Sequence, residues 1–112
     1  MIYSTAPSII DTALALVNIE YVSENSEALE KEINIRQKAV EKIMKIPIQA
    51  LILPIPMLNN KSTLLYQKRL EEAGYLIGAI RQPTVKEPIL RVIPRLGTSL
   101  NSFKSMLYEI KL

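Results

Sequence analysis

The sequence predicts an α+β fold, in which a small, mostly antiparallel three-stranded sheet has helices on one face and is preceded by a long helical segment. Two observations predict this class. Segments with apolar residues at helical spacing alternate with short β-branched runs bounded by proline and glycine. The chain is also long enough, at 112 residues of which 48% are hydrophobic, to bury a core without disulfides or a structural metal.

The first two helices are predicted from different patterns. Ser8 to Val22 carries apolar residues at helical spacing behind Pro7, which predicts a mostly buried helix. Glu27 to Lys45 has its acids early and its bases late, an order that complements the helix dipole. Glu32 and Arg36 form one of its acid-before-base pairs at i,i+4. Together these patterns predict two consecutive helices with a break between them.

The later helices are marked by their ends. Asn59 to Ser62 predicts a turn and cap before a third helix, and Gly74 can end that helix in a left-handed conformation. A last helix is predicted to start at a cap formed by Thr98, Ser99 or Asn101.

Three short runs are predicted strands: Gln49 to Leu53, Tyr75 to Ile80 and Ile89 to Ile93. Pro54 and Pro56 follow the first run, so its continuation is expected to be irregular or confined to an edge of the sheet. The predicted order is helix, helix, strand, helix, strand, strand, helix.

Composition excludes several classes of function. The chain has no cysteine and no histidine, which removes zinc sites of Cys and His, thiol nucleophiles and Ser-His-Asp triads. Asp11 is its one aspartate, so no metal site is expected. The basic residues are scattered without interleaved aromatics, which argues against nucleic acid. No signal peptide or apolar run of membrane length is present, and we expect a cytoplasmic chain without membrane contact.

Two clusters could bind anions. Ser4 and Thr5 offer hydroxyls and backbone amides just before a helix, a setting suited to phosphate, although the residues alone favour an ordinary helix cap. Arg81, Arg91 and Arg95 lie around two proline-bounded strand ends, and a planar guanidinium can hold a carboxylate through two parallel hydrogen bonds. Each arginine taken alone also fits a solvated or ion-paired surface residue.

Three runs in these regions carry a resemblance to a known family: Ile2-Tyr3-Ser4-Thr5-Ala6-Pro7, Leu76-Ile77-Gly78-Ala79-Ile80-Arg81-Gln82-Pro83-Thr84-Val85 and Leu90-Arg91-Val92. In order and approximate spacing they resemble the C-terminal portion of the α-oxoamine synthases, in particular the 8-amino-7-oxononanoate synthases. These are dimeric pyridoxal-phosphate enzymes of fold type I. The resemblance covers essentially the whole chain.

The resemblance implies a function and a set of roles. The parent enzyme would be an acyltransferase that condenses L-alanine with a pimeloyl thioester, with loss of carbon dioxide, in biotin biosynthesis. Thr5, with Ser4 beside it, would reach the cofactor phosphate of the neighbouring subunit in a homodimer. Arg91 would bind the α-carboxylate of the amino-acid substrate, and Arg81 would lie near the acyl-substrate channel.

The resemblance also implies that the chemistry lies elsewhere. Residues 1–24 would end the large cofactor domain and continue into an interdomain helix, and residues 25–112 would form the small C-terminal domain. The lysine that anchors the cofactor belongs to the large domain, so this chain is expected to hold no catalytic residue, to bind no pyridoxal phosphate alone and to be inactive alone. The alternative is a free-standing α+β module that binds a partner or a small anion without catalysis.

Overall fold

The computed structural model of the chain describes residues 8–111. Its helices and strands follow the predicted order. They are α1 Ile9–Glu24, α2 Ser26–Met44, β1 Leu53–Pro56, α3 Asn60–Glu72, β2 Gly78–Ile80, β3 Ile89–Val92 and α4 Leu100–Lys111. The chain divides between Lys31 and Glu32 into two compact units. The predicted domain boundary after residue 24 coincides with the end of α1 and stays a prediction.

Helix α1 makes up most of the first unit. The Ser8 side chain caps it by accepting a hydrogen bond from the Asp11 backbone, and Asn25 ends it by donating to the Tyr21 carbonyl. No residue of α1 is buried, and Ile9 is 88% exposed. The prediction of a mostly buried helix is therefore wrong within the described residues. The apolar residues lie on all sides of α1, a pattern typical of a helix that other parts of a protein surround. Among the described helices, none combines the length and hydropathy needed to cross a membrane.

The second unit is built on a three-stranded sheet. Its strand order is β1-β3-β2, and β3 pairs antiparallel with both neighbours. The predicted α+β class with a small antiparallel sheet is thus confirmed. The central position of β3 brings its residues next to both edge strands at once, which decides where the functional side chains lie.

Strand β1 lies later in the chain than predicted. The run Gln49 to Leu53 forms only an isolated bridge between Gln49 and Ile52, and the strand itself contains Pro54 and Pro56. Both prolines are tolerated because β1 is an edge strand and they alternate with Leu53 and Ile55. Residues at the alternate positions direct their N–H groups toward β3, so the missing proline N–H groups would have faced the open edge. The predicted bounds were therefore wrong by several residues, whereas the expectation that the proline-containing continuation would be irregular or at an edge is confirmed by the edge position of β1.

The two faces of the sheet differ. One face buries Leu53, Ile55, Leu90 and Val92 in a core completed by residues of α2, α3 and α4. The other face leaves Pro54, Pro56 and Arg91 exposed. Because side chains alternate along a strand, the fully buried Leu90 and Val92 place Arg91 between them on the open face.

The predicted caps of the later helices are confirmed. Asn59 and Ser62 form a reciprocal capping box at the start of α3, and Gly74 follows the helix with φ +93°, a conformation that glycine adopts without strain. The Ser99 hydroxyl accepts from the Ser102 backbone at 3.3 Å and caps α4. The turn that follows α3 and the turn that precedes α4 border the open face of the sheet.

Candidate functional site

Arg91 lies at the centre of the open face. Its register partners are Pro54 on β1 and Gly78 on β2. A Cβ atom at Gly78 would stand 3.6 Å from Nε of Arg91 and 3.7 Å from Nη2. The Arg91 side chain therefore extends across Gly78, and the absence of a side chain there leaves the guanidinium accessible above the edge strand.

A cleft of about 700 Å³ opens beside this guanidinium. On the sheet side it is lined by Gly78, Arg91, Ile93 and the turn from Gly74 to Leu76. The other wall is formed by Arg95, Thr98 and Ser99 together with Ser102, Phe103 and Met106 of α4. The cleft thus combines two guanidinium groups and several hydroxyls with an apolar wall, and all of its lining lies in the second unit.

Neither cleft arginine is paired with an acid in the described part of the chain. The ion pairs there join Arg36 to Glu32 and Arg69 to Glu109. Both Arg91 and Arg95 are exposed, so each guanidinium keeps its full set of donors for a ligand. Within residues 8–111 no acid or lysine lines the cleft. The arrangement is therefore suited to binding an anion and offers no general base of its own.

A buried arginine fixes the loop that carries Arg95. Arg36 is 2% exposed, and its Nη2 donates to Glu32 at 3.0 Å and also to the Thr98 carbonyl. Its guanidinium carbon lies 5.6 Å from the centroid of the Phe103 ring, a distance typical of a cation–π contact. The Gly97 backbone donates to Glu32 at 2.8 Å. We call Glu32, Arg36, Gly97 and Thr98 the rim network.

The rim network also changes the acidity of Glu32. The Gly97 N–H and then the Arg36 side chain hold the pKa of this carboxyl below its usual value, because both bonds stabilise the charged form. Glu32 thus remains ionised, and the loop from Gly97 to Thr98 stays tied to α2. Consequently the wall of the cleft is held in place before any ligand arrives.

Arg81 does not line the cleft with the other two arginines. It is exposed, directly follows β2, and is not among the residues that line the cleft. The loop that it begins is held by Asn60, which accepts from the Gln82 backbone at 3.0 Å and donates to the Gln82 carbonyl at 3.3 Å. Of the three arginines predicted to cluster, the structure therefore brings Arg91 and Arg95 to one cleft and leaves Arg81 outside its lining.

The proposed phosphate ligands Ser4 and Thr5 lie outside the described residues. Sequence reasoning missed the rim network, since Arg36 was recognised only as the partner of Glu32 on one helix. One signal could have found it: Arg36 precedes the buried Ala39, Val40 and Ile43 by three, four and seven positions. That spacing places the guanidinium on the buried stripe of α2, where a charge needs tertiary partners.

Relatives of known name match nearly the whole chain. Two proteins named 8-amino-7-oxononanoate synthase, from two strains of Helicobacter pylori, are each 36% identical to it over 106 residues. The match covers 95% of this chain and 28% of each relative. The chain thus spans little more than a quarter of the length of these curated relatives. No family profile matches it.

A solved structure agrees on the fold. The crystal structure of 8-amino-7-oxononanoate synthase from Francisella tularensis superposes with a TM-score of 0.70 at 23% identity. It covers 97% of this chain, which in turn covers 34% of that protein. The two kinds of comparison agree with the resemblance carried by the motifs around Arg81 and Arg91. The chain is accordingly similar, over nearly its whole length, to a C-terminal portion of proteins named 8-amino-7-oxononanoate synthase.

Proposed function

We propose that this chain supplies the substrate-carboxylate side of a pyridoxal-phosphate-dependent C-acyltransferase of the 8-amino-7-oxononanoate synthase type. In this role Arg91 binds and orients the α-carboxylate of the amino acid, L-alanine. Arg81 borders the path of the acyl thioester, and the reaction joins the two substrates with loss of carbon dioxide. The chain contributes binding and orientation, while the bond-making groups belong to a large domain.

The observation that carries this proposal is the position of Arg91. Its guanidinium lies across Gly78, lines the cleft and has no acid partner among residues 8–111. An unpaired guanidinium offers two parallel donors to a carboxylate, and such charge-assisted bonds contribute about 1.5 to 3 kcal/mol each. The central strand β3 supports the backbone of Arg91 on both sides, so little ordering is needed on binding.

The donor set of the cleft does not fit the cofactor by itself. It consists of guanidinium groups, hydroxyls and apolar side chains, and within the described residues it includes no lysine to tether pyridoxal phosphate and no carboxylate to face its ring. Pyridoxal phosphate supplies the electron sink in enzymes of this class. We therefore assign the anchoring of pyridoxal phosphate to the large domain of a parent enzyme that is a homodimer in the cytoplasm. Thr5 and Ser4 of this chain would bind the cofactor phosphate. The chain alone would have no activity.

A chimeric enzyme tests the proposal. The matched segment of the Helicobacter pylori relative is replaced by this chain, and release of free CoA from pimeloyl-CoA is measured with and without L-alanine. We expect alanine-dependent release, lost on Arg91→Ala and partly restored by Arg91→Lys. A folded, cofactor-loaded chimera that is inactive with Arg91 intact, or equally active with Arg91→Ala, would contradict the assignment.

A second candidate function has one observation in its favour. Every residue lining the cleft lies between Gly74 and Met106, so the site is complete within the second unit. Such a site could serve a free-standing module that binds an anionic ligand without catalysis. Anion binding by the isolated chain together with failure of the chimera would favour this module over the acyltransferase.

A further inference from the structure

A second guanidinium shares the open face with Arg91. Beyond the end of β3 the alternation of burial continues: Val92 and Pro94 are buried, whereas Arg91, Ile93 and Arg95 are exposed. Pro94 favours an extended conformation for Ile93 before it. All three exposed residues line the same cleft. We call Arg91, Ile93 and Arg95 the open-face row.

In the open-face row an apolar residue, Ile93, lies between the two arginines. Four residues of extended chain span at most about 13 Å between the Cα atoms of Arg91 and Arg95. Ile93 lies between them and is 54% exposed, and Leu76 on the neighbouring turn is 91% exposed. Phe103 and Met106 contribute the apolar wall opposite. A ligand that matches this surface has an aliphatic chain with an anionic group at each end.

The position of Arg95 is fixed by the rim network. The Thr98 hydroxyl donates to the Arg95 carbonyl at 2.7 Å, and Thr98 in turn accepts from the buried Arg36. The backbone of Arg95 is therefore held before a ligand binds, and only its side chain needs to be ordered. A pre-ordered backbone lowers the entropic cost of binding.

We propose that Arg95 is a specificity-determining residue that binds the carboxylate at the far end of a linear acyl chain, while Arg91 binds the carboxylate of the amino acid. This assignment rests on the proposed function. The product named for the relatives, 8-amino-7-oxononanoate, is a linear chain that keeps one carboxylate at the end remote from its amino group. Arg95 selects acyl groups that carry this carboxylate, and Ile93 and Leu76 contact the methylene groups between.

Binding of simple carboxylates to the 112-residue chain tests the assignment without any turnover. Heptanedioate, which has a carboxylate at each end, is compared with heptanoate and with the shorter pentanedioate by titration calorimetry and NMR. We expect heptanedioate to bind about tenfold more tightly than either. One of its carboxylates binds Arg95 and the other binds Arg91 in place of the amino-acid carboxylate, and this second charge-assisted contact contributes about 1.4 kcal/mol. Arg95→Ala abolishes this preference, and Arg95→Lys restores part of it.

Arg69→Ala is the matched control, since it removes an arginine that lies outside the cleft and pairs with Glu109. It leaves the heptanedioate preference unchanged. The assignment is overturned if heptanedioate shows no advantage, if the advantage survives Arg95→Ala in a chain with an unchanged circular dichroism spectrum, or if inorganic phosphate displaces heptanedioate as well as heptanedioate itself does. Each of these outcomes leaves the chimera result standing, and failure of the chimera leaves these affinities standing.

Discussion

Arg36 and Arg91 are the same residue type in opposite surroundings. Arg36 in the rim network is buried and its guanidinium donates to Glu32 and Thr98, whereas Arg91 in the open-face row is exposed and has no acid partner within residues 8–111. A buried charge is tolerated only when its donors are satisfied, so Arg36 is committed to the fold. An unpaired charge in a cleft adds little to stability and is available to a ligand. The difference separates a residue whose donors stabilise the structure around the cleft, Arg36, from one whose donors remain accessible in it, Arg91.

Removing the buried arginine should give the largest effect. Arg36→Ala breaks the contacts to Glu32 and Thr98 and empties the space beside Phe103. We expect a loss of about 2 to 3 kcal/mol in the free energy of unfolding, measured by urea denaturation. Arg91→Ala is the matched control, and its loss should stay within about 0.5 kcal/mol. Equal losses in the two variants would erase the distinction between the regions.

The rim network should also weaken in acid. Because the pKa of Glu32 in the folded chain lies below its ordinary value of 4.5, ionised Glu32 stabilises the fold above that value. The contribution is lost as the pH falls through the lowered pKa. Urea denaturation between about pH 6 and pH 2 should therefore show a smaller acid-induced loss in Glu32→Gln than in the parent chain. Parallel pH profiles would show that Gly97 and Arg36 do not act on this carboxyl.

The smallest effect concerns the surface under Arg91. A Cβ at Gly78 would lie 3.6 Å from Nε of Arg91, which is an ordinary contact, so Gly78→Ala should change carboxylate affinity by less than about twofold. Gly78→Val adds branches that meet the guanidinium, and its affinity should fall further while the chain remains folded. Carboxylate titration of both variants measures this. An equal loss in both would show that Arg91 does not extend across Gly78.

Much of the fold could be predicted from the sequence because its signals are local. The caps at Asn59 and Ser99 and the glycine that ends α3 all lie where turn chemistry places them. The bounds of β1 were not predicted, because the sequence left the continuation past Leu53 either irregular or at a sheet edge, and only the order of strands in the whole sheet decides between the two. The exposure of α1 was also not predicted, since the sequence of its apolar residues does not show what would cover them.

The positions of the arginines were predicted in part. Arg91 and Arg95 were expected to lie close together near strand ends, and both line the cleft, but their place on one face of the sheet follows only from the register of β3 and the burial of Val92 and Pro94. Their role as carboxylate ligands stays a prediction. Arg81 was grouped with them because it too lies at a proline-bounded strand end, although it is not among the residues that line the cleft. The Arg36 contact to Thr98 joins residues 62 apart, and no local pattern reveals a contact of that range.

The guanidinium NMR signals of the 112-residue chain test most directly whether Arg36 is committed to the fold while the open-face row is free for a ligand. In the absence of ligand, the Nε–H of Arg36 should exchange slowly with water, because its guanidinium is buried and bonded. The Nε–H groups of Arg91 and Arg95 should exchange fast and become protected on addition of heptanedioate, with Arg36 unchanged. Fast exchange at Arg36, or protection of Arg91 and Arg95 before any carboxylate is added, would contradict the account.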